Sequence, residues 1–340
     1  MHILSTTPDD PRHQQLLRQL YTPDSPRHRL GHDPVAQHLE QCFLAIDGDQ
    51  PVGRVAYYRN PVLQYKGEVA ACLGSYECTE DTRVSRALLD HAIRQARRDG
   101  YRYVLGPMEN STWRSYRFAE VWGEVPPFMM EPYHLPYYAK QWRASGFERV
   151  ATYYSTRDTA LHYDKARLQA FEREVQRKGI TLRPIDMSRL DAELRLIGAF
   201  SIENFADNLF YTPIMVEAFV AQYKPLAPLF DPEFIQLAVS GTGELQGFVF
   251  AIPDRTDTSG RTLIVKSGAR RRDAPFRGLA AYFFGKMARQ AKRRGFTNII
   301  HAFMHEDNAS LTGSKLYAQE VVREYGLYGL ELCPSTSSGT

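Results

Sequence analysis

Long apolar runs are missing from this 340-residue chain. No stretch reaches the roughly 18 residues that a membrane helix needs. The N-terminus, MHILSTTPDDPRHQQ, lacks the basic-then-apolar layout of a secretory signal. The sequence therefore predicts a cytoplasmic protein with no membrane partner. Cysteine is scarce: Cys42, Cys72, Cys78 and Cys333 show neither CxxC spacing nor the density of a disulfide scaffold. They read as reduced packing residues, and no metal site is expected. No charge of one sign dominates, and a net +3 is too small to indicate nucleic-acid binding by itself. A disorder-type composition is also lacking, with 43% apolar and 24% charged residues. Only the tail PSTSSGT (334–340) has it, and a disordered tail is expected there.

What is present is length and repetition. At about 150 residues per domain the chain predicts two domains. Residues 94–101 read RQARRDGY and residues 289–296 read RQAKRRGF, an offset of 195. Each motif ends an amphipathic helix, with Val84, Leu88 and Ala92 on one buried face and Leu279, Phe283, Met287 and Ala291 on the other. Each helix closes at a glycine, Gly100 or Gly295, as a left-handed cap requires. A short strand-like run follows, YVLGPM or NIIHAFM, and then an acidic-asparagine-small pattern, MENST or MHEDNAS. Upstream, residues 42–58 and 234–252 alternate around the turns DGDQPVG and GTGELQG, the pattern of a hairpin. The chain thus reads as two copies of one unit. The first spans 1–159, the second spans 180–333, and a charged helical linker covers 160–179.

This order of elements resembles the GNAT superfamily of acyl-CoA-dependent N-acyltransferases, present here as a tandem pair. The likeness rests on QGFVFAIPD, RTLIVKSGA, PFRGLAAYFFGKM, TNIIHAFM and EDNAS in the second copy, and on repetition in the first. It implies an α/β fold in which a mixed α+β sheet is flanked by helices, and two such GNAT domains in tandem; the two copies can satisfy each other as an internal pseudo-dimer, and the oligomeric state stays open. It also implies acetyl-CoA or another acyl-CoA as co-substrate and a small-molecule amine as acceptor.

The family's loop before the central helix has the form (Arg or Gln)xxGx(Gly or Ala), and its amides hold the coenzyme A pyrophosphate. The physics is general, because the first amides of a helix lack internal partners and carry the positive end of its dipole. Here Gly278 and Ala280 fit the last two positions, while Pro275 stands where a side-chain donor is the rule. Arg277, or the run Arg270 to Arg272, can supply the charge. The resemblance assigns cofactor contacts to Ser267, Gly268, Ala269, Arg270, Phe276, Arg277, Gly278, Leu279, Ala280, Ala281 and Asn308. The corresponding loop of the first copy, ECTEDTR (77–83), has no glycine and places Glu77, Glu80 and Asp81 by the helix start, where carboxylates repel a pyrophosphate. The first copy is thus expected not to bind coenzyme A but to shape the acceptor site.

Acyl transfer to an amine needs a proton acceptor, a donor to the carbonyl oxygen and a proton for the leaving thiolate. Strand alternation puts His301 and His305 on one face, and either can act as base or be satisfied inside the sheet. For catalysis the resemblance points to His305 and Glu306; the family's usual tyrosine position falls on Lys315, and Tyr317, two residues further on, is the candidate general acid carried over in its place. Asn308 also suits a helix cap. Acceptor contacts are expected from Trp113, Arg117, Glu203, Asn204 and His301, although most aromatics around them also suit packing. Two other readings remain open. One is an aminoacyl-tRNA-dependent transferase with paired GNAT folds, which turns the arginine cluster toward RNA phosphate. The other is a non-catalytic acyl-CoA-binding or scaffold protein.

Overall fold

The computed structural model describes residues 1–7, 9–10, 15–16, 19–20, 37–132, 134–271, 278–307 and 320–332. In the first half the strands are β1 (His2–Thr6), β2 (Leu39–Asp47), β3 (Gln50–Tyr58), β4 (Gln64–Tyr65), β5 (Glu68–Val69), β6 (Ala71–Cys78), β7 (Tyr103–Gly106), β8 (Phe118–Val121) and β9 (Glu148–Asp158). Helices α1 (Thr82–Arg98) and α2 (Tyr138–Ala144) interrupt them. Helix α3 (Lys165–Arg177) joins the halves. The second half holds β10 (Ile180–Pro184), α4 (Leu190–Asn204), α5 (Val216–Tyr223), β11 (Ile235–Ser240), β12 (Leu245–Pro253), β13 (Thr262–Arg270), α6 (Leu279–Arg293), β14 (Asn298–His305) and β15 (Glu320–Glu331). Among the described residues no helix is long and apolar enough to cross a membrane.

The repeat is visible in these bounds, since β7 and β14 begin 195 residues apart, at Tyr103 and Asn298. α1 buries Val84, Leu88, Leu89, Ala92, Ile93 and Ala96, and α6 buries Leu279, Tyr282, Phe283, Met287 and Ala291. Those positions recur every three to four residues, so one stripe of each helix lies on the sheet and the arginines remain outside. A fully buried side chain of this size contributes about 1.5–3 kcal/mol. The two hairpins form as the alternation predicts, β2 with β3 and β11 with β12. Cys42, Cys72 and Cys78 are buried free thiols, and burial pushes Cys42 and Cys78 up to about 11.

All but β4 and β5 form one 13-stranded sheet in the order β1-β2-β3-β6-β7-β15-β9-β14-β13-β12-β11-β10, with β8 beside β15. The two halves exchange their last strands. β9 ends the first half in sequence yet pairs antiparallel with β14 of the second. β15 ends the second half and pairs with β7 of the first, and β9 and β15 also pair with each other. Each half therefore completes the other's sheet, and the halves are joined by main-chain hydrogen bonds across the molecule's centre. Arg323 of β15, with no exposed surface, donates from Nε to Glu131 at 2.8 Å and from Nη2 to the Val125 carbonyl at 2.7 Å.

Candidate functional site

In the second half, β13 and β14 run parallel for four residue pairs, from Thr262 and Asn298 to Val265 and His301. Both strands then bulge. On β13, Val265 faces Ala251 and Ser267 faces Phe250, which leaves Lys266 as the extra residue. On β14, His301 faces Thr156 but Met304 faces Tyr154, and Phe303 takes a left-handed φ of 61°. A bulge bends its strand, and two at one level drive the strands apart. The second bulge is held from the exchanged strands. The Phe303 amide donates to the Ser155 hydroxyl at 3.2 Å, that hydroxyl lies 3.1 Å from the Tyr325 hydroxyl, and Tyr325 donates to Glu131 at 2.6 Å. Between the separated strands opens a cleft of about 2050 Å³ lined by both halves and by α3.

One wall of the cleft carries Ser267, Gly268, Ala269 and Arg270, with Gly278, Ala280 and Ala281 at the start of α6. Gly278 precedes the helix with φ 108°, a conformation that suits glycine alone, and among the described residues no side chain caps the helix there. Leu279 points the other way, fully buried in the core. Phe276, Arg277 and Asn308 lie outside the described residues, as do Pro275 and Tyr317.

α1 begins differently. Asp81 is its N-cap and accepts from the Arg83 amide at 2.8 Å, so a carboxylate already occupies that position. Glu77 takes no part in this cap, because it lies on β6 and accepts from Tyr138. The parting of β6 and β7 is also filled. The Met108 amide donates to the Leu73 carbonyl at 2.7 Å, and a side chain at Gly74 would collide with the Met108 carbonyl.

The expected chemical residues are dispersed around the cleft. His301 and His305 both line it, but not from one face. The Phe303 bulge breaks the alternation, so that His301 pairs with Thr156 and His305 with Tyr153, neighbours of opposite facing on β9. His301 is buried, which pushes its pKa down to about 4 and keeps the ring neutral above that. His305 Nδ1 accepts from the Asp307 amide at 3.2 Å, which puts the ring proton on Nε2. Glu306 is exposed and does not line the cleft; its carboxylate accepts from the Thr152 amide at 3.1 Å.

Trp113 and Arg117 cross from the first half into the cleft wall. The Trp113 indole donates to the Thr212 carbonyl at 2.9 Å, fixing it on the second half. Glu203 and Asn204 do not reach the cleft. Glu203 is exposed, Asn204 donates to its own helix at Phe200, and Asp207 and Asn208 line the wall instead.

Lys266 and Tyr153 join the site without having been singled out in the sequence. Lys266 is half-buried, and burial pushes its pKa down to about 8, with the Arg117 charge adding to the effect. A lone lysine in the apolar strand RTLIVKSGA was a legible signal. Tyr153 was not, because it reaches the cleft only through the strand exchange.

No protein-family model matches the chain. Over 232 residues, 65% of the chain, it is 25% identical to a bacterial ceramide synthase of Caulobacter vibrioides, and the match covers 58% of that protein. Among solved structures it is similar to a tandem GNAT protein from the clavulanic acid biosynthesis pathway, with TM-score 0.53 and 14% identity, covering 98% of this chain and 99% of that one. A GCN5-related N-acetyltransferase from Sphaerobacter thermophilus aligns with TM-score 0.52 and 13% identity over 97% of this chain and 95% of its own. A GCN5-related glucosamine N-acetyltransferase region in a fungal multi-domain β-N-acetylglucosaminidase gives TM-score 0.57 and 14% identity over 97% of this chain, which spans 38% of that longer protein. The chain has the fold of the GNAT superfamily in its tandem form.

Proposed function

We propose that the protein is an N-acyltransferase that moves an acyl group from acyl-CoA to the amine of a bulky acceptor, using the cleft of the second half. The observation that carries this reading is the pairing of an opened β13–β14 fork with a start of α6, at Gly278, that no side chain caps among the described residues. Free amides at the positive end of a helix dipole suit a pyrophosphate, and the fork beside them suits the pantetheine arm. Single ligands usually fill about 300–1,000 Å³. A cleft of about 2050 Å³ has room for donor and acceptor together.

The likeness to a ceramide synthase favours an amphipathic amine as acceptor, since a ceramide is an N-acylated long-chain amino alcohol. Aromatic side chains along the wall, among them Trp113, Tyr211 and Phe248, suit such a molecule. In this reading His301, neutral at physiological pH, takes the amine proton directly or through water. His305 holds an N–H at Nε2 that can hydrogen-bond the leaving sulfur, and Tyr317 is the candidate that gives the thiolate its proton. The thioester carbonyl lies against the interrupted ladder at Lys266.

The test is a thermal-shift series with coenzyme A, acetyl-CoA and longer acyl-CoAs. At a hundredfold excess over Kd a ligand stabilises by about 2.7 kcal/mol. A flat response across the series refutes the assignment. His301→Gln should lower kcat by about a hundred- to ten-thousand-fold while the coenzyme A shift persists.

A further inference from the structure

Arg117 is the most unusual cation among the described residues. It is 4% exposed, its backbone takes a left-handed φ of 72°, and its Nε and Nη1 are buried with no hydrogen-bond partner there. Its guanidinium is boxed by rings, with centroids at 3.8 Å for Tyr116, 4.4 Å for Tyr153 and 4.6 Å for Phe303. Ring faces offset part of the desolvation of a guanidinium, but they satisfy none of its N–H donors.

A second cation stands beside it. Lys266 Nζ lies 5.1 Å from the centroid of the same Phe303 ring, and both side chains line the cleft. Among the described residues neither forms an ion pair. The nearby carboxylates are engaged elsewhere: Glu131 by Arg323 and Tyr325, and Glu306 by the Thr152 amide. Two desolvated like charges without a counter-ion oppose folding, and a bound anion removes that opposition.

We infer that Arg117 and Lys266 form an anion subsite at the fork, so that the acceptor is an amine that also carries a carboxylate or a phosphate. This deepens the proposed function and rests on it only for the word acceptor. An oxyanion of the transfer step does not meet the need by itself, since it exists only in the transition state, whereas both cations already lie against the Phe303 ring and line the cleft in the resting protein. The subsite also explains what the first half contributes, since it supplies Arg117 to a cleft built on the second half's strands.

The test uses Ala280→Asp protein, in which the helix start is closed to phosphate, and measures Tm at constant ionic strength in sodium phosphate, sodium butyrate and sodium chloride. At saturation, phosphate or butyrate should raise Tm by about 2 °C or more over chloride. That increment should vanish when Lys266→Met or Arg117→Gln is added; Lys266→Met alone suffices if Arg117→Gln does not fold. A phosphate response points to a phosphorylated amine, and a butyrate response to an amino acid or a related acid. No increment over chloride, or one that survives Lys266→Met, overturns the inference. Coenzyme A binding to the unmodified protein is read separately, so a flat coenzyme A series with an intact anion response sinks the proposed function alone.

Discussion

The two halves start from one plan and treat the same fork in opposite ways. Between β6 and β7 the main chain folds back into the opening, with the Met108 amide on the Leu73 carbonyl, and Asp81 caps the helix that follows. Between β13 and β14 two bulges hold the opening apart, and among the described residues no side chain caps the helix start at Gly278. The difference lies in a handful of residues rather than in the architecture. A unit whose fork is filled by its own backbone can still support its neighbour through its strands and helices. Here the support is direct, because β9 of the closed half forms one flank of β14 and carries the Ser155 that holds its bulge.

The comparison can be broken most severely at the joint. Glu131→Ala leaves Arg323 buried without its partner and should cost about 3–5 kcal/mol in urea unfolding, in one transition if the sheet unfolds as a unit. Two separated transitions would mean that the halves fold independently despite the strand exchange. Next comes the open helix start. Ala280→Asp adds a carboxylate to the first turn of α6, close to where the closed half has Asp81 as the N-cap of α1, and should abolish the roughly 2.7 kcal/mol of coenzyme A stabilisation at hundredfold excess. Glu80→Ala in the closed half should leave that response unchanged. A smaller effect is expected from Gly278→Ala, about 1–2 kcal/mol of stability, because a Cβ is strained at φ 108°; differential scanning calorimetry measures it.

The last comparison is of pH dependence. Lys266 has its pKa lowered from 10.5 to about 8 in the fold, so between those values the unfolded chain binds more protons than the folded one. Stability contributed at this site therefore rises as pH goes from about 8 to about 10.5, and the penalty is fully present below 8. Subtracting the Tm–pH curve of Lys266→Met from that of the unmodified protein should reveal this rise, and saturating anion should flatten it. A difference curve that falls with pH would place Lys266 in an ion pair.

Much of the site was legible because its signals are local. The glycine before α6, the acids before α1 and the lysine within β13 can each be read within a few residues, since caps and helix starts depend on near neighbours. The placing of His301 and His305 on one face failed for a tertiary reason. Alternation holds only while a strand is regular, and the Phe303 bulge is held by Ser155, almost 150 positions away in the chain. Glu306 looked available beside the histidines, yet β9 arrives next to it and offers the Thr152 amide.

The sequence by itself determined the repeat, the helices and hairpins of each copy, and the contrast between an acidic and a bare helix start. All of these follow from spacing, capping and charge within short windows. Tertiary structure alone decided that the final strands change places and that Arg117 of one half meets Lys266 of the other. Either half's last strand presents the same main-chain donors and acceptors to a sheet edge, so nothing local says which edge it joins. That choice is made by the packing of the whole sheet, and it brings a buried Arg117 and a half-buried Lys266 to one cleft.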